Sequence, residues 1–255
     1  MNTKLLLSLF LAAGLLTACH KKPVEIKVER IEFAPASYKM FIGDEQNVTV
    51  QCYPNTATNL DQLSISLSNT EVAGFVNGKL KAKAAGTSAL QARCGEAYAS
   101  AHVTVYSGYF TKGGNKYGVD QASGYLMMIG ESTPQEIQMT LSHREPDGST
   151  QNFWFHLIYT NLGKTIDFMD NMDGTMVSVQ KNNNEDGYCI PYAGEDGTPV
   201  VKLADWGDTD ARLTKGTLRV EDLGSSTYSV EADFALSNGY TFTVNWEGVA
   251  SMKTE

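Results

Sequence analysis

The sequence predicts an all-β protein of two domains, each a sandwich or barrel. Three observations carry this. First, outside the N-terminal segment no run of ten or more residues repeats apolar positions at the 3.6 spacing of a helix, whereas short alternating or β-branched runs recur every 8 to 12 residues between turn signals. Second, 255 residues exceed one average domain, and 42% hydrophobic against 19% charged residues is enough apolar material for ordinary cores. Third, charge is uneven: residues 23 to 106 carry 8 acidic and 7 basic side chains, residues 107 to 255 carry 21 and 10. That shift places a boundary at Ser107-Gly108. A net charge of -9 argues against nucleic acid as a partner, since phosphate backbones attract a surplus of Lys and Arg.

The first element is an address. Lys4 precedes an almost unbroken apolar run from Leu5 to Leu16, the layout of a secretory signal peptide. Twelve helical residues span about 18 Å, short of the ~30 Å hydrocarbon core, so this run is not a membrane span. It ends in Leu16-Thr17-Ala18-Cys19, which resembles the lipobox of bacterial lipoproteins. The resemblance implies removal of residues 1–18, a thioether diacylglycerol on Cys19 and, usually, a further acyl chain such as palmitate on its amino group. Each buried methylene adds about 0.8 kcal/mol, so several chains anchor stably. Residues 19–23 then form the anchor and a short linker. His20 stands where an aspartate would signal inner-membrane retention, which favours the outer membrane. The basic Lys21 and Lys22 differ from the acidic residues common on surface-exported lipoproteins, so the periplasmic and outward faces both stay open.

Residues 24–106 come next. Thr49 to Tyr53, Gly86 to Cys94 and Ala101 to Tyr106 read as strands bounded by Pro54, Gly95 and Gly108. Asn77-Gly78 is the dipeptide preferred in a two-residue hairpin turn. Val28-x-x-Ile31, Ile42-Gly43-Asp44, Val48-Thr49-Val50, Pro54-Asn55-Thr56-Ala57, Leu67 to Ala73, Val76 to Leu80, Ala84 to Thr87 and Ala101 to Val105 follow in an order that resembles the bacterial immunoglobulin-like group 2 family. The resemblance implies an immunoglobulin-like sandwich. It departs at the third strand, where Ile65 or Leu67 replaces the common tryptophan. Val48, Val50 and Cys52 share one strand face, and Ser88, Leu90, Ala92 and Cys94 share another. In such a sandwich these strands run the same way in facing sheets, which implies a Cys52–Cys94 disulfide worth about 4 kcal/mol by loop entropy. Two buried thiols are the alternative, and Cys189 is left over in either case.

Residues 107–255 read as a second antiparallel β-sandwich or a lipocalin-like barrel, with strands expected at Tyr125 to Ile129, Glu136 to Ser142, Phe153 to Tyr159, Met176 to Gln180, Val200 to Leu203 and Gly216 to Val220. The clearest pair follows, with Tyr228, Val230, Ala232, Phe234 and Leu236 on one face and, across Ser237-Asn238-Gly239, Tyr240, Phe242, Val244 and Trp246 repeating the pattern. The stretch from Gly216 to Gly248 is similar to the closing hairpins of uncharacterised β-sheet lipoproteins of gut anaerobes, which implies no activity.

No catalytic motif appears. His20, His102, His143 and His156 lack metal-ligand spacing, and nucleophile-elbow, P-loop and dinucleotide-binding patterns are missing. No cofactor is expected. The acidic loops at Asp167, Asp170 and Asp173, at Asn182 to Asp186 and at Asp205, Asp208 and Asp210 could supply oxygen ligands to Ca2+, although acidic residues beside glycine are also ordinary turn formers. The candidate ligand site is Trp206 among Asp205, Asp208 and Asp210, where an indole face would stack on a sugar while carboxylates accept its hydroxyl protons. Trp154 and Trp246 are expected in the core, and Phe153 to Tyr159 in a strand buried on both faces or lining a cavity. The expectation is a non-catalytic envelope lipoprotein that binds or interacts, with a glycan or another envelope protein as partner; the alternative is a glycan-binding outer-membrane lipoprotein of a polysaccharide-utilisation system.

Overall fold

The structure, a computed structural model, describes residues 24–128, 134–170, 175–182, 188–193, 199–202 and 211–255. Apart from two single 3-10 turns, at Leu60–Gln62 and Tyr159–Asn161, all regular structure among them is strand. The all-β fold class holds, and the buried side chains gather into two separate cores, one between Val28 and Val105 and one between Phe110 and Ala250.

The first core is enclosed by β1 (Arg30–Ala34), β2 (Ser37–Phe41), β3 (Glu45–Asn47), β4 (Thr49–Tyr53), β5 (Ser64–Leu67), β6 (Ala73–Val76), β7 (Lys79–Ala82), β8 (Gly86–Cys94) and β9 (Ala97–Tyr106). β1 pairs with β4, and β3, β7 and β6 form a three-stranded ladder. Opposite them β2 lies parallel to β9, followed by β8 and β5. The strand period of two decides what is buried: Leu90 and Ala92 of β8 and Ala101, Val103 and Val105 of β9 face the core, while the alternate residues Gln91, Arg93, Ser100, His102 and Thr104 are less buried. Asn77 and Gly78 both take positive φ, +51° and +77°, which closes the β6–β7 hairpin as its dipeptide predicts.

The expected Cys52–Cys94 disulfide is corrected here, because both residues are free thiols. Their registers do face the same core, with Cys94 buried and Cys52 half-buried beside it. The Cys94 thiol, however, donates to the backbone carbonyl of Asn59 at 3.2 Å, and the Asn59 side chain accepts the Val28 N–H at 2.9 Å. These bonds satisfy a buried polar residue without a cross-link. Burial, and next the neighbouring Cys94, raise the proton affinity of the Cys52 thiol, which makes it a poorer nucleophile at neutral pH.

The second core lies within one long sheet. Its strands are β10 (Tyr109–Lys112), β11 (Asn115–Gly118), β12 (Gln121–Met128), β13 (Pro134–Arg144), β14 (Thr150–Ile158), β15 (Thr165–Asp167), β16 (Met176–Lys181), β17 (Tyr188–Ala193), β18 (Pro199–Lys202), β19 (Ala211–Gly224), β20 (Thr227–Leu236), β21 (Thr241–Val249) and β22 (Ser251–Thr254). The spatial order is β11-β10-β21-β20-β19-β18-β17-β16-β14-β13-β12-β22, with β15 added on β19. The sheet folds over on itself, so that Phe153 of β14 meets Phe242 of β21 at 6.4 Å between ring centroids, and Phe242 stacks on Phe234 at 4.5 Å. Each such buried ring contributes about 1.5–3 kcal/mol. Among the described residues the end strands β11 and β22 do not pair, so the lipocalin-like barrel gives way to a sandwich-like double layer.

The β20–β21 hairpin follows its sequence pattern, with Tyr228, Val230, Phe234, Leu236, Phe242, Val244 and Trp246 all buried. Trp154 departs from it. Phe153, Phe155 and Leu157 fill the inward phase of β14, which leaves Trp154, His156 and Ile158 half-buried on the outer phase, and Tyr159 sits in the 3-10 turn beyond the strand.

The two cores meet tightly after β9. The Tyr106 ring packs on Gly118, where a Cβ would lie only 2.3 Å from it, and Lys116 Nζ sits 3.8 Å over the rings of both Phe41 and Tyr109. Burial, followed by the charge of Asp120 and a hydrogen bond to it, pushes the Tyr106 hydroxyl up to about 12.

Candidate functional site

The outer face of β22, β12, β13 and β14 is built by strand register. Where the inward phase of β13 is Ile137, Met139 and Leu141, its outward phase is Gln138 and Thr140. β12 buries Ala122 and turns Gln121, Ser123, Tyr125 and Met127 outward. The pairings align these residues in rows across the sheet. One row runs Ser251, Ser123, Thr140, Trp154; the next runs Lys253, Tyr125, Gln138, His156. With neighbouring strands about 4.8 Å apart, each row is about 14 Å long, and successive rows lie about 6.7 Å apart.

Between the rows lies a groove of about 290 Å³. Trp154 and Tyr125 line it with Gln121, Gln138, Thr140 and Lys253, and its remaining side chains are the serines of the first row. Gly124 lies beneath: a Cβ there would approach the Gln138 carbonyl oxygen to 2.0 Å, so only glycine lets β12 come this close to β13. The Gln138 amide is oriented by donating Nε2–H to Met127 Sδ at 3.4 Å. Trp154 and His156 hold their rings nearly parallel, at 16°, and His156 Nε2 lies 2.8 Å from Glu136 Oε2. That contact sets the imidazole beside the carboxylate of the neighbouring strand. His102 is the solvent-facing counterpart.

Chemically the groove offers two aromatic faces, two amides, three aliphatic hydroxyls, the Tyr125 phenol and one ammonium, and among the described residues no carboxylate. It shares Gln121 and Ser251 with a larger cleft of about 500 Å³ between the two cores, lined by Thr87 and Thr104 on one side and Val119, Trp246 and Val249 on the other. The two cavities therefore adjoin across these residues.

Trp206, Asp205, Asp208 and Asp210 lie outside the described residues, as does Cys19. Of the acidic loops, Asp167 uses its carboxylate to accept the Met169 N–H at 2.9 Å, and the Asn182 side chain accepts the Thr150 N–H at 2.9 Å. The first is a turn-forming role; the second ties the chain after β16 to the start of β14. Among the described residues no group of three or more His, Cys, Asp or Glu side chains is placed to hold a metal ion. The aromatic pair at Trp154 and Tyr125 escapes sequence reasoning, although one signal points to it: in β14 the phenylalanines already supply the core, so a tryptophan in the opposite phase must lie on the outer surface.

The class defined by this architecture is an all-β protein with two cores and a groove with aromatic and amide walls on the outer face of the second. No family model and no curated protein matches the chain. Among solved structures it is similar to domains 5-6 of the S-layer protein SbsC, at 13% identity and a TM-score of 0.26 over 88% of this chain and 98% of that one. It is also similar to domains 4-9 of the same surface layer protein, at 14% identity and a TM-score of 0.26 over 88% of this chain and 31% of that one.

Proposed function

We propose that this chain is a non-catalytic lipoprotein of the cell envelope, anchored through Cys19, in which the immunoglobulin-like domain carries a binding domain away from the membrane. The observation that supports the binding role is the outer groove of the second domain. An ordinary solvated sheet face presents scattered charges, whereas here two aromatic side chains and two amides converge on one concavity. Its aromatic faces, amides and hydroxyls are the groups of a recognition surface, and they support this reading.

The anchor rests on the lipobox-like residues, and the outer membrane on the missing aspartate after Cys19. Among the described residues no helix is long and apolar enough to cross a membrane. Mass spectrometry of the membrane-extracted protein is expected to find an acylated N-terminal Cys19. The soluble chain, made without its first 19 residues, is expected to be retained on an isolated envelope fraction. Trp154→Ala is expected to abolish that retention while changing the melting temperature little, because the side chain is only half-buried. An unmodified Cys19, or retention indifferent to Trp154, would overturn the corresponding half of the reading.

A further inference from the structure

We infer that the outer groove takes a neutral glycan chain, lying with one sugar ring against Trp154 and continuing past Gln121 and Ser251 into the cleft between the two cores. This rests on the binding role proposed above and names its ligand.

The argument starts from what the wall can recognise. A pyranose has an apolar C–H face and a rim of hydroxyls, each both donor and acceptor. An indole covers the apolar face, and an amide matches the rim, because it too carries a donor and an acceptor at one end. Gln121 and Gln138 supply amides on opposite strands of the groove, and Thr140, Ser123 and Ser251 supply hydroxyls. Competing ligand classes fit this wall less well. A nucleic acid would need several cations, and the lining carries Lys253 alone in a chain of net charge -9. A folded protein partner would want an apolar centre with a polar rim, whereas here amides and hydroxyls stand between the aromatics. Among the described residues an anionic ligand would meet a single ammonium, 5.8 Å from the Tyr125 ring, and no guanidinium.

Hydrolysis of the chain is not served. Glycoside cleavage uses a pair of carboxyl groups flanking the bond; among the described residues the groove lining holds none and the cleft adds Asp120 alone. Length follows from adjacency. The groove of about 290 Å³ alone is at the small end of ligand sites, but it borders the cleft of about 500 Å³ at Gln121 and Ser251. A linear polymer would occupy both, with Thr87 and Thr104 of the first domain at its far end. The first domain would then contribute contacts as well as reach.

The test uses the full soluble chain on two supports: immobilised purified polysaccharides (glucan, xylan, mannan and galactan) and an isolated envelope fraction, untreated or oxidised with periodate, which cleaves vicinal diols. The expected result is retention on at least one polysaccharide, on the untreated envelope and not on the oxidised one. On the retained polysaccharide Trp154→Ala weakens binding about tenfold or more, and Gln138→Ala about three- to tenfold, the range of one net hydrogen bond. Oligosaccharides of that polymer bind more tightly as they lengthen until the cleft is filled, and Gln121→Ala flattens that dependence. Should Trp154→Ala fail to fold, Gln138→Ala and Trp154→Phe carry the comparison. Periodate-insensitive retention that still requires Trp154 would overturn the glycan and leave the binding role standing. Retention indifferent to Trp154 and Gln138, or none on any support, would overturn both. Affinity that does not rise beyond a disaccharide would overturn the extension into the cleft.

Discussion

The outward aromatic rings Tyr53 and Tyr98 of the first domain and Trp154 of the second are used differently. In the first domain they lie under cations: Arg30 sits 4.2 Å over Tyr53, Arg93 4.9 Å over Tyr98, and Lys116, reaching across the junction, 3.8 Å over Phe41. A ring face covered by a guanidinium or ammonium has its electrostatic partner and little left to offer a ligand. In the second domain Trp154 instead lines a groove among amides and hydroxyls, and the cation nearest Tyr125, Lys253, stands off at 5.8 Å from its ring. An inventory of surface aromatics thus says less than what stands on each face. The cores differ in kind as well. Apart from Phe33 and Tyr38 the first buries small and aliphatic side chains, whereas the second is built around Phe110, Phe153, Phe155, Phe168, Phe234 and Phe242.

Breaking each core separately should give the largest effects. Phe234→Ala removes a fully buried ring stacked on Phe242 and is expected to destabilise the second domain by about 3–5 kcal/mol; Leu90→Ala is expected to cost the first about 2–5 kcal/mol. Calorimetry should show each substitution lowering one transition more than the other. Equal lowering of both by either variant would mean that the tight junction makes the two cores one cooperative unit.

That junction has its own pH signature. The Tyr106 hydroxyl is raised from 10.0 to about 12 in the folded chain, so the folded state holds its proton where the unfolded state has released it. Its contribution is complete below pH 10 and is lost as pH rises through about 12. Denaturant midpoints measured across that window should fall less steeply in Tyr106→Phe than in the unaltered chain. Parallel curves would show that other groups carry the alkaline loss.

The smallest effect is expected at Arg93. Removing an exposed guanidinium from above Tyr98 costs about 0.5–1 kcal/mol at most, read as a slightly lower melting temperature. Its value lies in the comparison: Arg93→Ala should uncover Tyr98 without creating retention on polysaccharide, because no walls of amides surround that ring. If uncovering Tyr98 did create retention, the groove around Trp154 would not be what distinguishes the second domain.

Features set within a few residues were open to sequence reasoning. Positive φ at Asn77 and Gly78, the inward set from Tyr228 to Leu236 and the burial of Trp246 follow from turn chemistry and a period of two, and the structure has all of them. Short strands such as β10, β11, β15 and β22 were not visible, because three or four residues are too few to display a period. The phase of Trp154 was open in principle, but the apolar run from Phe153 to Tyr159 hid which side was already occupied.

What the sequence by itself determined is the all-β class, the hairpins and which residues of the clear strands face inward, since these depend on alternation and on local φ. Tertiary structure alone decided that Cys94 would bond the Asn59 carbonyl and not Cys52, and that the long sheet would fold over without joining its ends. It also decided that Ser251, Ser123, Thr140 and Trp154 would fall in one row. These four span 128 residues of sequence, from Ser123 to Ser251, and a slip of one residue in any pairing would turn that strand's whole outer set into the core. The registers are held by the burial of the opposite faces, which depends on every strand being in place together.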